Sequence, residues 1–502
     1  MAQTLSSALS WWAKETPDSR ALVIGDDFVS YSELDAWASQ VAVSLIERGV
    51  RHGDRVGTIG GTTLAHCALM LGTIRAGAIV SPLSTRLTPR EVIEFYERTC
   101  PKCVFVDPDQ AERHAQIEEV AGPRIAMETI LALRGRRAVE QTWDCAPDDA
   151  VGIIATSGST ARPKGVVLTH RSMLSYAMEF AIEEPFSGPG SRALALSPLS
   201  TSAGFVQLME FIALGATLRF ESVFDPQRAL KLLVSERINM FQGVPLFFER
   251  IAACPDFEHA DLSALTYTSV GGAPVPRKLL DVWMKKGCLL RQIYGQTEAG
   301  GAISIMTKAD AAKYPEKAGR GGMFTEIRII DDNGKFLGPN QPGQIVIRGP
   351  SVMQGYWGDP ENTAKTLVDG WLRTGDLGSI DEHGYLTFID RLKDIIISGG
   401  LNISAAEVER VVAEFPGVHE VAVIGAKDEK FGETPLAVVH AELSLDIPAL
   451  IDHCNRYLAD YKVPRYVEIE AEPLPRLATG KLAKPAIREK YLPKLASLKR
   501  VR

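Results

Sequence analysis

Short apolar runs alternate with helix-spaced apolar stripes over about the first 140 residues, an order that predicts a mostly parallel β-sheet. Ala21-Leu-Val-Ile24 reads as a strand. Ser32 follows as a helix N-cap with Asp35 three residues on, and Leu34, Trp37, Val41 and Leu45 share one face until Gly49 stops the helix. Arg55-Val-Gly-Thr-Ile59 is the next strand, and the alternation continues through Ala78-Ile-Val80 and Val104-Phe-Val106. These stripes read as core.

A second alternating block runs from Ala193 to Tyr294, and a third, richer in strands and turns, from Phe324 to Asp390. Beyond it the texture becomes that of a small α/β unit. A helix is predicted over Ala405 to Phe415, strands over Val418 to Ile424 and Leu436 to Val439, and a further helix from Pro448 to Leu458. With 502 residues the chain exceeds what one hydrophobic core serves. The expected domains are residues 1–392 and 393–502, and the fold class is α/β.

Composition narrows the function without naming it. The chain is 45% hydrophobic and 23% charged with a net charge of -7, which suits a globular protein and argues against a nucleic-acid surface. The basic cluster from Lys494 to Arg502 reads as a solvated terminus. Seven cysteines at irregular spacings point to free thiols in a reducing compartment, and Cys100-Pro-Lys-Cys103 lacks the second ligand pair of a zinc site. The most apolar stretch, Phe205 to Phe220, is interrupted by Gln207, Glu210 and Gly215 and is too short to span a bilayer. No signal-peptide pattern opens the sequence, so a cytoplasmic location is expected.

Thr156-Ser-Gly-Ser-Thr-Ala-Arg-Pro-Lys-Gly-Val-Val-Leu-Thr-His170 carries the strongest chemical signal. Small and hydroxyl residues followed by a lysine suit a loop whose N–H groups and hydroxyls hold phosphate oxygens. It is not a Walker A loop, because the spacing differs and Val166-Val-Leu168 continues as a strand. The segment resembles the phosphate loop of the acyl-CoA synthetase, adenylation-domain and luciferase superfamily. The resemblance continues in order through Ser269-Val-Gly-Gly-Ala-Pro274, Tyr294-Gly-Gln-Thr-Glu298, Tyr356-Trp357, Trp371-Leu-Arg-Thr-Gly-Asp376, Asp390-Arg-Leu-Lys-Asp394, Ser398-Gly-Gly-Leu-Asn-Ile403 and Pro475-Arg-Leu-Ala-Thr-Gly-Lys481.

That resemblance implies a large N-terminal domain of several subdomains and a small mobile lid. It also implies acid plus ATP giving an acyl adenylate, followed by transfer to coenzyme A. Thr156, Ser157, Gly158, Ser159, Thr160 and Lys164 would cradle the β- and γ-phosphates. Thr297 would touch the α-phosphate, and Glu298 would hold a magnesium ion, Mg2+. Tyr294 would stack on adenine beside Gly272, Ala273 and Pro274, while Asp376 and Arg391 would hold the ribose. Lys481 would bridge the acid carboxylate and the α-phosphate, a charge the adenylation step requires. Lys393 matches the hinge, and Ser398, Gly399 and Gly400 would line the route of coenzyme A.

The chain departs from the family at Leu196-Ser-Pro-Leu-Ser-Thr-Ser-Ala-Gly-Phe205, where many acyl-CoA synthetases carry an aromatic residue followed by histidine. Ser200, Thr201, Ser202 and Gly204, with Gly271, would instead leave a wide acyl pocket for a cyclic or bulky acid. Thr201 cannot pair the ammonium of an amino acid, so amino acids are not expected substrates. Two alternatives accompany this reading. A stand-alone acyl-AMP ligase would load a carrier-protein phosphopantetheine, and a non-catalytic homologue would only bind nucleotide.

Overall fold

The computed structural model describes residues 3–139, 145–156, 163–273, 275–399, 401–476 and 481–502. Two seven-stranded sheets form its larger part. One runs Arg291–Ile293, Tyr267–Gly271, Met240–Gly243, Arg192–Ala195, Thr217–Phe220, Arg20–Ile24, Asp27–Ser30, parallel except for the last strand. The other runs Gly355–Tyr356, Lys164–Thr169, Ala150–Thr156, Ile79–Leu83, Arg55–Ile59, Cys103–Val106, Arg124–Ala126. The N-terminal strands therefore do not share one sheet. Arg20–Ile24 crosses to lie beside Thr217–Phe220, with Leu22 opposite Leu218.

Helices fill the space between these sheets. Leu64–Arg75 is buried on every side, and Gly72 lets Val41 approach so closely that a Cβ there would stand 2.5 Å from the Val41 side chain. The Ser202–Leu214 helix touches both layers. It meets strands of the first sheet, and its Phe205 ring presses on Gly152 of the second. Its stop is local, because Gly215 takes φ +74 and its N–H caps Phe211.

One helix start differs from the sequence expectation. Ser30, not Ser32, caps the Tyr31–Glu47 helix, with its hydroxyl accepting from Glu33 N–H while the Glu33 carboxylate accepts from Ser30 N–H. A glutamate reaches back across the turn to close this box. Asp35 instead accepts from Ser10 and Arg75.

A five-stranded sheet, Glu326–Ile330, Gly343–Arg348, Trp371–Ile380, Leu367–Val368 with Leu386–Arg391, precedes the C-terminal part. There Leu401–Ser404, Ile395–Ser398, Gly432–Ala441, Val418–Asp428 and Tyr466–Glu470 form a second five-stranded sheet. One core packs that sheet against Ala405–Ala413 and Ile447–Tyr457, and another packs it against Lys484–Tyr491.

The chain divides into two compact units, residues 1–327 with 346–374 and residues 328–345 with 375–502. This division lies before Lys393 because Asp376 pairs in register with Arg391, and Ser404 bonds back to Ile389 and Asp390.

Candidate active site

In the first unit the phosphate-loop segment is a β-hairpin. Thr156 ends one strand opposite Lys164, which begins the next, and the Thr156 hydroxyl donates to the Lys164 carbonyl at 3.5 Å. Ser157, Gly158, Ser159 and Thr160 lie outside the described residues, as do Pro274 and Gly400. The returning strand pairs with Gly355–Tyr356, Val166 opposite Tyr356. That register carries Lys164 over the Tyr356 ring, with Nζ 4.5 Å from its centroid. The Tyr356 hydroxyl donates to Glu298 Oε1 at 3.0 Å. Burial, then the Glu298 carboxylate, hold the phenol well above its ordinary pKa, so it remains a donor.

Glu298 belongs to a single 3-10 turn, Thr297–Ala299, set between the short antiparallel strands Gly295–Gln296 and Gly301–Ala302. Gly300 at φ +84 makes the turn possible, since a Cβ there would lie 2.2 Å from the Ser351 carbonyl. Met353 N–H donates to the Glu298 carbonyl at 2.9 Å, tying the turn to the segment before Tyr356. Tyr294 is buried, with its N–H donated to Ser304 Oγ. Gly271 ends the Tyr267–Gly271 strand opposite Ile293, and Gly272 follows at φ +80 with Ala273 exposed. Lys164, Glu298 and Tyr356 thus form one contiguous group. The sequence had marked Tyr356 only as part of a motif.

The acyl-pocket segment is less open than its composition implied. Thr201 is the N-cap of the Ser202–Leu214 helix, its hydroxyl donating to the Pro198 carbonyl at 2.7 Å and accepting from Gly204 N–H. Gly204 adds no space, because a Cβ there would stand 2.1 Å from the Pro198 carbonyl. Ser200 and Ser202 are half-buried and Ala203 is exposed. Further along this helix lie two polar residues that sequence reading passed over. Glu210 is fully buried, and burial pushes its carboxyl up to about 8, opposed by a long 3.5 Å bond from Gln242 Nε2. Gln207 is 6% exposed, and its Oε1 has no hydrogen-bond partner.

The remaining candidates belong to the second unit. Asp376 is buried, and Arg391 Nε lies 3.6 Å from its Oδ1. Lys393 sits in the 3-10 turn Leu392–Asp394, where Asp394 accepts from Arg488 at 2.6 Å. Ser398 is buried, and Gly399 at φ +59 donates to the Phe431 carbonyl at 2.7 Å. Lys481 stands between residues 477–480, outside the described set, and Leu482, which bridges to Arg476. Asp390 accepts from Ser404 Oγ and from the N–H groups of Ala406 and Arg391. It anchors the start of the Ala405–Ala413 helix.

This is the adenylate-forming fold, a large layered α/β domain followed in sequence by a small α/β domain. The chain belongs to the AMP-binding enzyme family: residues 9–357 match the AMP-binding enzyme domain and residues 407–481 the AMP-binding enzyme C-terminal domain. A feruloyl-CoA synthase of an Amycolatopsis species is 36% identical, over 95% of this chain and 97% of that one. A long-chain-fatty-acid–CoA ligase of Mycobacterium tuberculosis is 34% identical, over 97% and 96%. The 3-[(3aS,4S,7aS)-7a-methyl-1,5-dioxo-octahydro-1H-inden-4-yl]propanoyl:CoA ligase of the same species is 33% identical, over 97% and 99%. ATP-bound MatB from Rhodopseudomonas palustris superposes with a TM-score of 0.90 at 30% identity, over 98% and 99%. The o-succinylbenzoate coenzyme A synthetase of Bacillus subtilis, in complex with ATP and magnesium ion, gives 0.86 at 27%, over 96% and 99%.

Proposed function

We infer that this AMP-forming acid–thiol ligase joins a bulky, ring-bearing carboxylic acid to coenzyme A. The carboxylate attacks the α-phosphate of ATP, giving acyl adenylate and pyrophosphate. The thiol of coenzyme A then displaces AMP to give the thioester. The observation that carries this reading is the Lys164, Tyr356 and Glu298 group. It sets a cation, a phenolic donor and a carboxylate together at the end of the phosphate-loop hairpin.

The resemblance of the motifs assigns the remaining roles, which suit the charge that develops during adenylation. Thr156 and Lys164 hold the outer phosphates, joined by Ser157, Gly158, Ser159 and Thr160. Thr297 contacts the α-phosphate, and Tyr294 with Gly272, Ala273 and Pro274 borders the adenine. Asp376 accepts from the ribose hydroxyls and Arg391 donates to them. Lys481 supplies positive charge where carboxylate meets phosphate. Lys393 is the hinge between a 1–392 domain and a 393–502 lid, and Ser398, Gly399 and Gly400 guide coenzyme A.

A magnesium ion suits the residues present. Glu298 offers one hard carboxylate oxygen, and this ion commonly takes one or two carboxylates and completes its shell with phosphates and water. Bound there, the ion would neutralise phosphate charge. No helix of the described residues is long and apolar enough to cross a membrane. The seven free thiols suit a reducing compartment such as the cytoplasm.

Support for a ring-bearing acid comes from Ser200, Ser202 and Ala203, which replace bulk at the start of the helix, and from two relatives named for ring-containing acyl groups. Small side chains at Ser200, Ser202 and Ala203 would favour an acid that fills the room they leave, because empty space forfeits dispersion contacts. The test is ATP–pyrophosphate exchange across straight-chain, aryl and polycyclic acids, then with added coenzyme A. Cyclic acids should give higher kcat/KM than linear acids of equal carbon number, with release of AMP and thioester, and Ser200→Phe should reverse the order. A linear acid outperforming every cyclic one withdraws the substrate class. Adenylate that persists despite coenzyme A points instead to a carrier-protein acceptor.

A further inference from the structure

The Ser202–Leu214 helix carries Ala203, Val206, Gln207 and Glu210 at spacings of three and four, so they share one face. Along that face exposure falls from the open Ala203 to 5% at Val206, 6% at Gln207 and 1% at Glu210. Val206 borders Gly301, where a Cβ would stand 3.3 Å from its Cγ1 and 3.2 Å from the Tyr176 ring. Gly301 in turn pairs with Gln296, immediately before Thr297 and Glu298. On the facing side Gln242, the register partner of Ser269, donates to Glu210 Oε1. Both strands end within two residues, at Gly243 and Gly271. In open α/β sheets ligands bind at the carboxyl ends of parallel strands. The polar groups therefore lie near the end of the sheet where such ligands bind.

Two atoms there have no protein partner, Gln207 Oε1 and Glu210 Oε2. Buried polar atoms are nearly always hydrogen-bonded, and an orphan pair on one helix face calls for a ligand. The two are complementary. An amide oxygen accepts, and a carboxylic acid kept neutral by burial donates through the oxygen that Gln242 does not hold. A hydroxyl satisfies both at once, whereas a ketone would leave the Gln207 oxygen unmatched.

We propose that Gln207 and Glu210 form a polar subsite for the acid, recognising a hydroxyl carried on its ring. The proposal rests on the acyl-CoA synthetase reading and deepens it to a hydroxylated ring acid. The hydroxyl donates to Gln207 Oε1 and accepts from Glu210 Oε2–H.

Pyrophosphate release is measured for 3- and 4-hydroxycinnamate against cinnamate, and for the hydroxylated phenylpropionates against 3-phenylpropionate. The wild-type enzyme should favour the hydroxylated member of at least one pair by roughly tenfold or more in kcat/KM, since a site built to bond a hydroxyl rejects an acid lacking it. Gln207→Leu should erase that preference by lowering only the hydroxylated acid. Glu210→Gln, which retains a donor and an acceptor, should keep part of it. Should either variant fail to fold, a larger rise in wild-type Tm with the hydroxylated acid than with its deoxy partner supports the subsite. Equal turnover of each pair, or equal loss of both acids in Gln207→Leu, overturns it and assigns these atoms to fixed water. If no acid of any kind releases pyrophosphate, the parent reading fails. If only unsubstituted acids do, the subsite alone fails.

Discussion

Two ends of the first unit hold clusters of partly or fully buried polar side chains, and they differ in who completes them. At the phosphate-loop end the protein supplies the partners: Lys164 lies on Tyr356, and Tyr356 donates to Glu298. At the proposed acyl end Gln207 Oε1 and Glu210 Oε2 face no partner. A phosphate-binding group must stand ready with its charges already oriented, because reorganising them during reaction would add to the barrier. A selectivity group gains from being incomplete, since the wrong acid then leaves it unpaired. The first end should act alike on every acid, and the second should tell acids apart.

The largest effect is expected at Lys481 of the second unit, whose proposed role does not depend on the acid. Lys481→Ala should lower ATP–pyrophosphate exchange by about 100-fold or more, the scale of losing a charge-stabilising donor. That loss should be the same for hydroxylated, unsubstituted and linear acids. Thioester formation from preformed adenylate should stay within a few-fold, because no carboxylate then meets a phosphate. Equal loss of both half-reactions in a folded variant, read by single-turnover assays, would sink the assignment. A loss that varies with the acid would show that Lys481 also takes part in choosing the acid.

The phosphate-loop end was legible in the sequence because its chemistry is written in short runs. A motif such as Tyr294-Gly-Gln-Thr-Glu298 names its residues in one short run, although the Lys164, Tyr356 and Glu298 group itself joins three distant segments. The acyl end was not, because its cluster joins one helix face to strands elsewhere in the chain. Along the sequence Gln207 and Glu210 were only interruptions of an apolar stretch. Substitutions also misled where backbone takes the room, as the Pro198 carbonyl does beside Gly204. The crossing of Arg20–Ile24 to the other sheet is likewise a pairing that no local pattern encodes. Asp390 drew no separate reading within its motif, yet it accepts three hydrogen bonds at the entry to a helix.

A smaller effect tests whether the acyl-end carboxyl is neutral. Glu210 rises from an ordinary 4.5 to about 8, so between those values the folded chain holds a proton that the unfolded chain has released. Stability from this group is therefore complete below pH 4.5 and is lost as pH climbs to 8, by up to about 1.4 kcal/mol per pH unit. His170 acts in the opposite sense. Its buried ring, whose Nδ1 accepts from Leu5 N–H, falls from 6.5 to about 4, so its contribution is lost as pH drops through that interval. The two slopes oppose each other below pH 6.5, which leaves pH 6.5–8 as the window for Glu210. Urea unfolding across that window should show a decline in wild type that Glu210→Gln flattens. The same slope in both proteins would mean that Glu210 is ionised when folded and cannot donate.

The smallest effect belongs to Tyr356→Phe, which removes a hydroxyl and keeps a ring. Lys164 would retain its cation–π contact, a term of about 0.5–1 kcal/mol at a partly exposed site. Glu298 Oε1 would lose a donor whose net contribution is about 0.5–1.5 kcal/mol for an ordinary hydrogen bond, and the half-buried carboxylate can take water in its place. The expected result is a rise of about two- to tenfold in KM for magnesium–ATP, with kcat little changed. Tyr356→Leu removes the ring as well and should add a further few-fold. Because both changes lie at the end proposed to hold phosphate, hydroxylated and unsubstituted acids should suffer in equal proportion. Initial rates at saturating acid, with magnesium–ATP varied, measure this for one acid of each kind. If Tyr356→Phe shifts the preference between the two acids by more than twofold, the phosphate-loop and acyl clusters are coupled, and the division of labour drawn between them is wrong.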